Sequence, residues 1–112
     1  MEEETEKKIP DKVLGTIGLA MRAGKLVSGE FMTEQAIRDG KAELVIIAMD
    51  ASEGTKKKFT DSCRYYRVPI LYVYDKETLG QSIGKRERAS IAILDRGFAG
   101  SIRKRIGGMN NG

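Results

Sequence analysis

Apolar positions along the 112-residue chain alternate between a helical and an extended period. Val13, Leu14, Ile17 and Met21 fall within about 100° of arc, which predicts an amphipathic helix. Pro10-Asp11 opens it, because proline has no N–H to waste in a first turn, and Gly24 ends it. A short extended piece, Lys25 to Ser28, precedes a second helix that starts at Ser28 or Gly29 and runs to Asp39. On that helix Met32, Thr33, Ala36 and Ile37 define the inward face within about 140° of arc. Leu44 to Met49 is apolar without alternation, the mark of a strand buried on both faces. A third helix is predicted over Glu53 to Tyr66, with Phe59, Ser62, Cys63 and Tyr66 inward. Strands at Ile70–Tyr74 and Ser90–Leu94 enclose a fourth helix, Lys76–Ile83. A last helix follows Asp95-Arg96-Gly97, with Phe98, Ile102 and Ile106 at four-residue spacing.

The order α-β-α-β-α-β-α-β-α with short connections predicts one α/β domain with helices on both faces of a parallel or mixed sheet. The domain is expected over residues 10–106, between an acidic flexible tail at 1–9 and a flexible tail at 107–112.

Charge and composition narrow the chemistry. The whole chain carries 20 Lys+Arg against 16 Asp+Glu, a net +4. Residues 1–8 hold four Glu and two Lys, so the remainder is more basic, at +6. Basicity in a small domain points to a polyanionic partner, nucleic acid first. There is no histidine, which excludes His-based acid–base catalysis and His metal ligation. A single cysteine, Cys63, excludes an internal disulfide and fits a reducing cytoplasm. On the inward stripe of its helix and without a base, Cys63 reads as a small buried hydrophobe. The longest apolar run, six residues from Leu44 to Met49, falls short of the ~20 needed to span a membrane.

Asp50, Asp75 and Asp95 each follow a strand, where sites of open α/β sheets gather and where carboxylates can hold Mg²⁺. Asp is equally the preferred cap and turn residue there, and no phosphate-binding glycine motif accompanies the three. The runs Lys56-Lys57-Lys58 and Arg103-Lys104-Arg105 read as solvated helix faces. The loop Gly84–Ser90, with Lys85, Arg86 and Arg88, reads either as a phosphate-contacting segment or as an ordinary solvated loop. Phe31 points away from the inward face of its helix, beside Glu34, Gln35 and Arg38. It reads either as a hydrophobic staple or as a platform for a splayed base.

Three stretches carry a family likeness: Arg22-Ala23-Gly24-Lys25-Leu26-Val27-Ser28-Gly29-Glu30, Ala36 to Ala42, and Leu44 to Ser52. Tyr65–Pro69 and Leu79–Lys85 extend it. Together they resemble the kink-turn-binding ribosomal protein family of the L7Ae and L30e type, in its bacterial YlxQ-like branch. The resemblance implies a three-layer α/β/α sandwich with a four-stranded mixed sheet. It also implies a non-catalytic, cofactor-free, monomeric, ribosome-associated cytoplasmic RNA-binding protein, with RNA and ribosomal proteins as partners.

The implied RNA site has two parts, the N-terminus of the second helix and the loop before the last strand. Its residues are Lys25, Gly29, Glu30, Phe31, Met32, Gln35, Lys85, Arg86, Arg88 and Ala89. The family's Gly-x-Asn-Glu-x-x-Lys motif falls on Gly29–Gln35. Here Phe31, Met32 and Gln35 stand where the family has Asn, Glu and Lys. Two apolar groups and a neutral amide thus replace polar base contacts, while the charged second loop offers phosphate contacts instead. A protein-interaction module of the same fold, using Phe31 and Met32 as an apolar patch, is the alternative reading.

Overall fold

The computed structural model describes residues 11–111. Five helices and four strands alternate. They are α1 (Asp11–Arg22), β1 (Leu26–Ser28), α2 (Glu30–Arg38), β2 (Leu44–Ile47), α3 (Glu53–Tyr66), β3 (Ile70–Tyr72), α4 (Lys76–Ser82), β4 (Ser90–Ile93) and α5 (Arg96–Asn111). The strands form one sheet in the order β1-β4-β2-β3. β4 runs antiparallel to both β1 and β2, and β2 runs parallel to β3.

The sheet is mixed for a reason visible in the connections. α3 carries the chain back across the sheet, so β3 can start beside the start of β2, with Val45 opposite Ile70. β4 enters between β1 and β2 from the opposite end, with Leu26 opposite Ile93 and Ile47 opposite Ser90.

The two sheet faces bury separate clusters. Ile46, Leu44, Ile91 and Ile93 pack under α1, α4 and α5 with Val13, Ile17, Leu79 and Ile102. Val45, Ile47 and Ala92 pack under α2 and α3 with Ile37, Phe59 and Cys63. Leu44 to Ile47 are fully buried, as a non-alternating strand requires. The architecture is therefore the three-layer α/β/α sandwich with a four-stranded mixed sheet.

Some boundaries differ from those the pattern predicts. The inward face of α2 is Thr33, Ala36 and Ile37 alone, since Met32 lies 46% exposed at the helix end, beyond the reach of the core. Tyr66, expected inward on α3, is 43% exposed, because it sits in the last turn where the sheet beneath has ended. α5 continues to Asn111, so residues 107–111 are helical where a tail was expected. The acidic stretch 1–9 and residue 112 lie outside the described residues. Among the described residues no helix is long and apolar enough to cross a membrane.

Candidate nucleic-acid interface

Of the helices that follow a strand, α2 begins differently from the rest. Ser52 caps α3 by accepting from the Thr55 N–H at 3.1 Å. Asp75 caps α4 through the Thr78 N–H at 2.8 Å, and Asp95 caps α5 through the Phe98 N–H at 2.9 Å. α2 has Gly29 at its N-cap and no side-chain cap. Its first-turn N–H groups, at the positive end of the helix dipole, are left to an external acceptor. Gly29 adopts φ 93°, ψ 160°, a region essentially restricted to glycine, and a Cβ there would meet nothing within 4 Å. The backbone demands glycine, and the space above it is open.

The loop 84–89 is held beside this helix end. The Gly29 N–H donates to the Ser90 carbonyl at 2.9 Å, so α2 starts where β4 begins. Arg88 Nε donates to Ser28 Oγ at 3.0 Å, tying the loop to the last residue of β1. The Arg88 N–H donates to the Lys76 carbonyl and the Lys85 N–H to the Gly80 carbonyl. On the other side the Ala89 carbonyl accepts the Ala48 N–H at 2.9 Å. Gly80 permits this seating: a Cβ on it would stand 1.3 Å from the Arg86 carbonyl oxygen. The loop is thus packed on α4 rather than being an ordinary solvated turn. Lys85 and Arg86 remain exposed, while Arg88 and Ala89 are half-buried.

The structure therefore brings nine of the ten expected site residues to one end of the sheet: Gly29, Glu30, Phe31, Met32 and Gln35 from α2 and its cap, and Lys85, Arg86, Arg88 and Ala89 from the loop. Lys25 does not join them. Its carbonyl accepts the Leu94 N–H at the far end of β1, roughly 13 Å along the strand from Gly29 at ~3.3 Å per residue. Phe31 is 74% exposed and staples nothing, because it faces solvent rather than the entering chain. Glu30 pairs with Lys58 of α3 at 2.8 Å, so the run Lys56–Lys58 is not purely a solvated face. Nothing in the sequence signals that α3 lies alongside α2, so the place of Lys58 at this helix end is decided by the tertiary structure.

The three strand-end carboxylates do not converge. Asp50 Oδ1 accepts the Lys76 N–H at 2.9 Å, placing it beside Asp75 at the ends of parallel β2 and β3. Asp95 follows antiparallel β4 and lies beyond the opposite end, more than the roughly 13 Å length of four paired residues away. All three accept helix N–H groups, which is the capping role. Among the described residues no group of three acidic or cysteine side chains gathers closely enough to hold a metal ion.

Cys63 is buried at 1% exposure, and its thiol is pushed up to about 11 by desolvation, with Glu34 adding a smaller repulsion. Asp75 is held below the usual carboxylate range by the Thr78 amide and hydroxyl it accepts from. A groove of about 460 Å³ lies between α3 and the edge strand β3, lined by Met49, Tyr72, Thr60 and the Lys57–Asp61 pair.

These features define a small α/β/α binding domain whose open helix end and cationic loop share one edge. Residues 11–102 match the family model of the ribosomal protein L7Ae/L30e/S12e/Gadd45 family, and the chain belongs to that family. It is 48% identical over 86 residues to the RNA-binding protein YlxQ of Bacillus subtilis, covering 77% of this chain and 86% of that one. It is 46% identical over 97 residues to the RNA-binding protein YlxQ of Enterococcus faecium, covering 87% and 93%. The large ribosomal subunit protein eL8 of Thermoplasma volcanium is 32% identical over 104 residues, covering 92% and 86%. Among solved structures, a Bacillus halodurans protein of unknown function superposes with a TM-score of 0.84 at 39% identity, covering 88% of this chain and 99% of that one. The Giardia lamblia 15.5kD RNA binding protein shares the fold, with a TM-score of 0.76 at 20% identity and coverage of 94% and 92%. The chain thus falls in the YlxQ-like branch of a family whose members are not enzymes, which agrees with the non-catalytic expectation.

Proposed function

We propose that this chain is an RNA-binding protein that grips a bent RNA, such as a kink-turn in ribosomal RNA, between the N-terminus of α2 and the loop 84–89. The observation that carries the reading is the uncapped start of α2 beside a loop whose Lys85 and Arg86 stay exposed while Arg88 ties it to Ser28. Unpaired N–H groups and exposed cations side by side suit phosphate oxygens. The exposed Phe31 ring suits an unstacked base. Family membership and the RNA-binding names of its relatives support the same ligand.

The chemistry of Phe31, Met32 and Gln35 shifts the balance of contacts. Apolar groups stack and pack on bases but cannot read the polar edges of sheared pairs. Affinity on this reading comes mainly from phosphates and stacking, and discrimination comes from the shape of the RNA.

A gel-shift titration of the protein with a kink-turn RNA and with a plain duplex, at two salt concentrations, tests this. The kink-turn RNA is expected to bind tighter than the duplex, with affinity falling steeply as salt rises. Equal affinity for both would remove the shape-specific part of the proposal. No binding to either, together with capture of a protein partner after RNase treatment, would replace it with the interaction-module reading.

A further inference from the structure

The face formed by α2 and α3 carries exposed aromatic and cationic side chains that the α2–loop site does not use. The two helices run side by side in the same direction. Lys58 Nζ donates to Glu30 Oε2 at 2.8 Å, and Ser62 Oγ donates to Glu34 Oε2 at 3.3 Å. Both contacts join residues 28 apart, so the same step sets Arg38 abreast of Tyr66 at the far end. The stripe therefore starts at Phe31, within the α2 site, and runs about 10 Å to Arg38 at 1.5 Å per residue. At the ~3.4 Å spacing of stacked nucleotides that is room for two to three of them.

Its side chains alternate in kind. Phe31 borders a groove of about 250 Å³ shared with Gln35, Arg38 and Lys58. Tyr65, 77% exposed, follows Lys58 by seven residues, two helical turns, on the same side of α3. Its ring stands edge-on to Tyr66, with centroids 4.8 Å apart at 77°. Arg64 and Arg67, both exposed, bracket the tyrosine pair in the chain. The carboxylates of the stripe are already neutralised, Glu30 by Lys58 and Glu34 by Arg38. Arg67, beyond them at the C-cap of α3, is exposed and makes no ion pair among the described residues.

We propose that this stripe is a second subsite, which takes a single-stranded RNA segment continuing from the α2 site. Phe31 and Tyr65 stack its bases and Arg67 at its end meets a phosphate, while Lys58 and Arg38 hold Glu30 and Glu34 neutral. A protein-docking surface is depleted of charge at its centre. This one is threaded with ion pairs and ends on the unpaired cation Arg67, the pattern of a stacking platform on an electrostatic track. Continuity with the α2 site supplies the direction. The proposal rests on the RNA-binding reading above, and its test separates the two.

The test compares a blunt kink-turn RNA, the same RNA with a six-nucleotide single-stranded adenylate extension on either strand, and a free twelve-nucleotide oligoadenylate. The proteins are the wild type, Tyr65→Ala and Tyr65→Phe, each checked for an unchanged melting temperature. One extension is expected to tighten wild-type binding about tenfold, in line with base–aromatic stacking. Tyr65→Ala should abolish that gain and leave the blunt RNA's affinity unchanged, while Tyr65→Phe should retain the gain. An extension without effect on the wild type, or a gain that survives in Tyr65→Ala, overturns the subsite. Should the blunt RNA not bind, the α2 reading has failed and the oligoadenylate alone decides. Binding that Tyr65→Ala abolishes upholds the subsite, and absence of binding overturns it.

Discussion

At Gly29 the backbone takes φ 93°, ψ 160°, and at Gly80 a side chain would meet the loop backbone. The two requirements are different in kind. Gly29→Ala forces a conformation worth ~1–3 kcal/mol of strain, yet meets no neighbour. Gly80→Ala is sterically blocked, because the Arg86 carbonyl would lie 1.3 Å from the new Cβ and must move. Overpacking of this kind costs roughly 1–3 kcal/mol or more. For Gly80→Ala the expectation is a lowered melting temperature, with kink-turn affinity falling because loop 84–89 has left its seat. An unaltered affinity in gel shift would show that the loop's position does not matter. Cys63 gives a pH prediction. Its thiol is raised to about 11 when folded, against 9.0 for an ordinary thiol. The unfolded chain therefore releases that proton first. The stabilisation is complete below about 9 and is lost as pH rises toward 11. The stability difference between wild type and Cys63→Ala, measured by urea unfolding, should narrow across that window. A constant difference would contradict the burial argument. Phe31 and the cationic loop were legible as candidates from residue type, and Gly29 from the family resemblance. Gly80 was not, because its clash is with a residue on another segment.

The helix starts form a set in which α2 is the exception. Ser52, Asp75 and Asp95 satisfy first-turn N–H groups of α3, α4 and α5. Ser52→Ala should cost ~1 kcal/mol of stability, visible in thermal melting and without effect on RNA affinity. The Asp75 cap is stronger as a carboxylate than as a neutral acid. Its pKa is depressed in the fold, so its contribution is present above the usual carboxylate range and is lost as pH falls through that range. Element identity was largely readable because periods of 3.6 and 2 leave distinct patterns. What the pattern could not supply was the extent of burial at the ends. Met32 and Tyr66 sit at helix positions that point inward by angle, yet the sheet does not reach them. α5 likewise runs through a glycine-rich stretch where composition suggested a frayed end. Helical hydrogen bonds inside a formed helix outweigh the ~1 kcal/mol cost of each glycine.

For the molecule as a whole, the charge on one edge sets the response to salt. Lys85→Ala combined with Arg86→Ala should flatten the dependence of log affinity on log salt by up to ~2 for two lost phosphate contacts, without lowering stability, since both side chains are exposed. A slope equal to that of the wild type would remove the loop from the interface. The sequence by itself determined the alternation of elements, the strand buried on both faces, the capping aspartates and the absence of histidine chemistry. Those features depend on local period and residue type. Only the tertiary structure decided which distant segments meet. The antiparallel entry of β4 between β1 and β2 sets Ser90 beside Gly29 and sends Asp95 to the other end. The same register strands Lys25 at the far end of β1. The parallel run of α2 and α3 brings Lys58 to Glu30 and sets Arg38 abreast of Tyr66. Strand order and helix pairing arise from the joint burial of two sheet faces. No single segment's pattern carries that information.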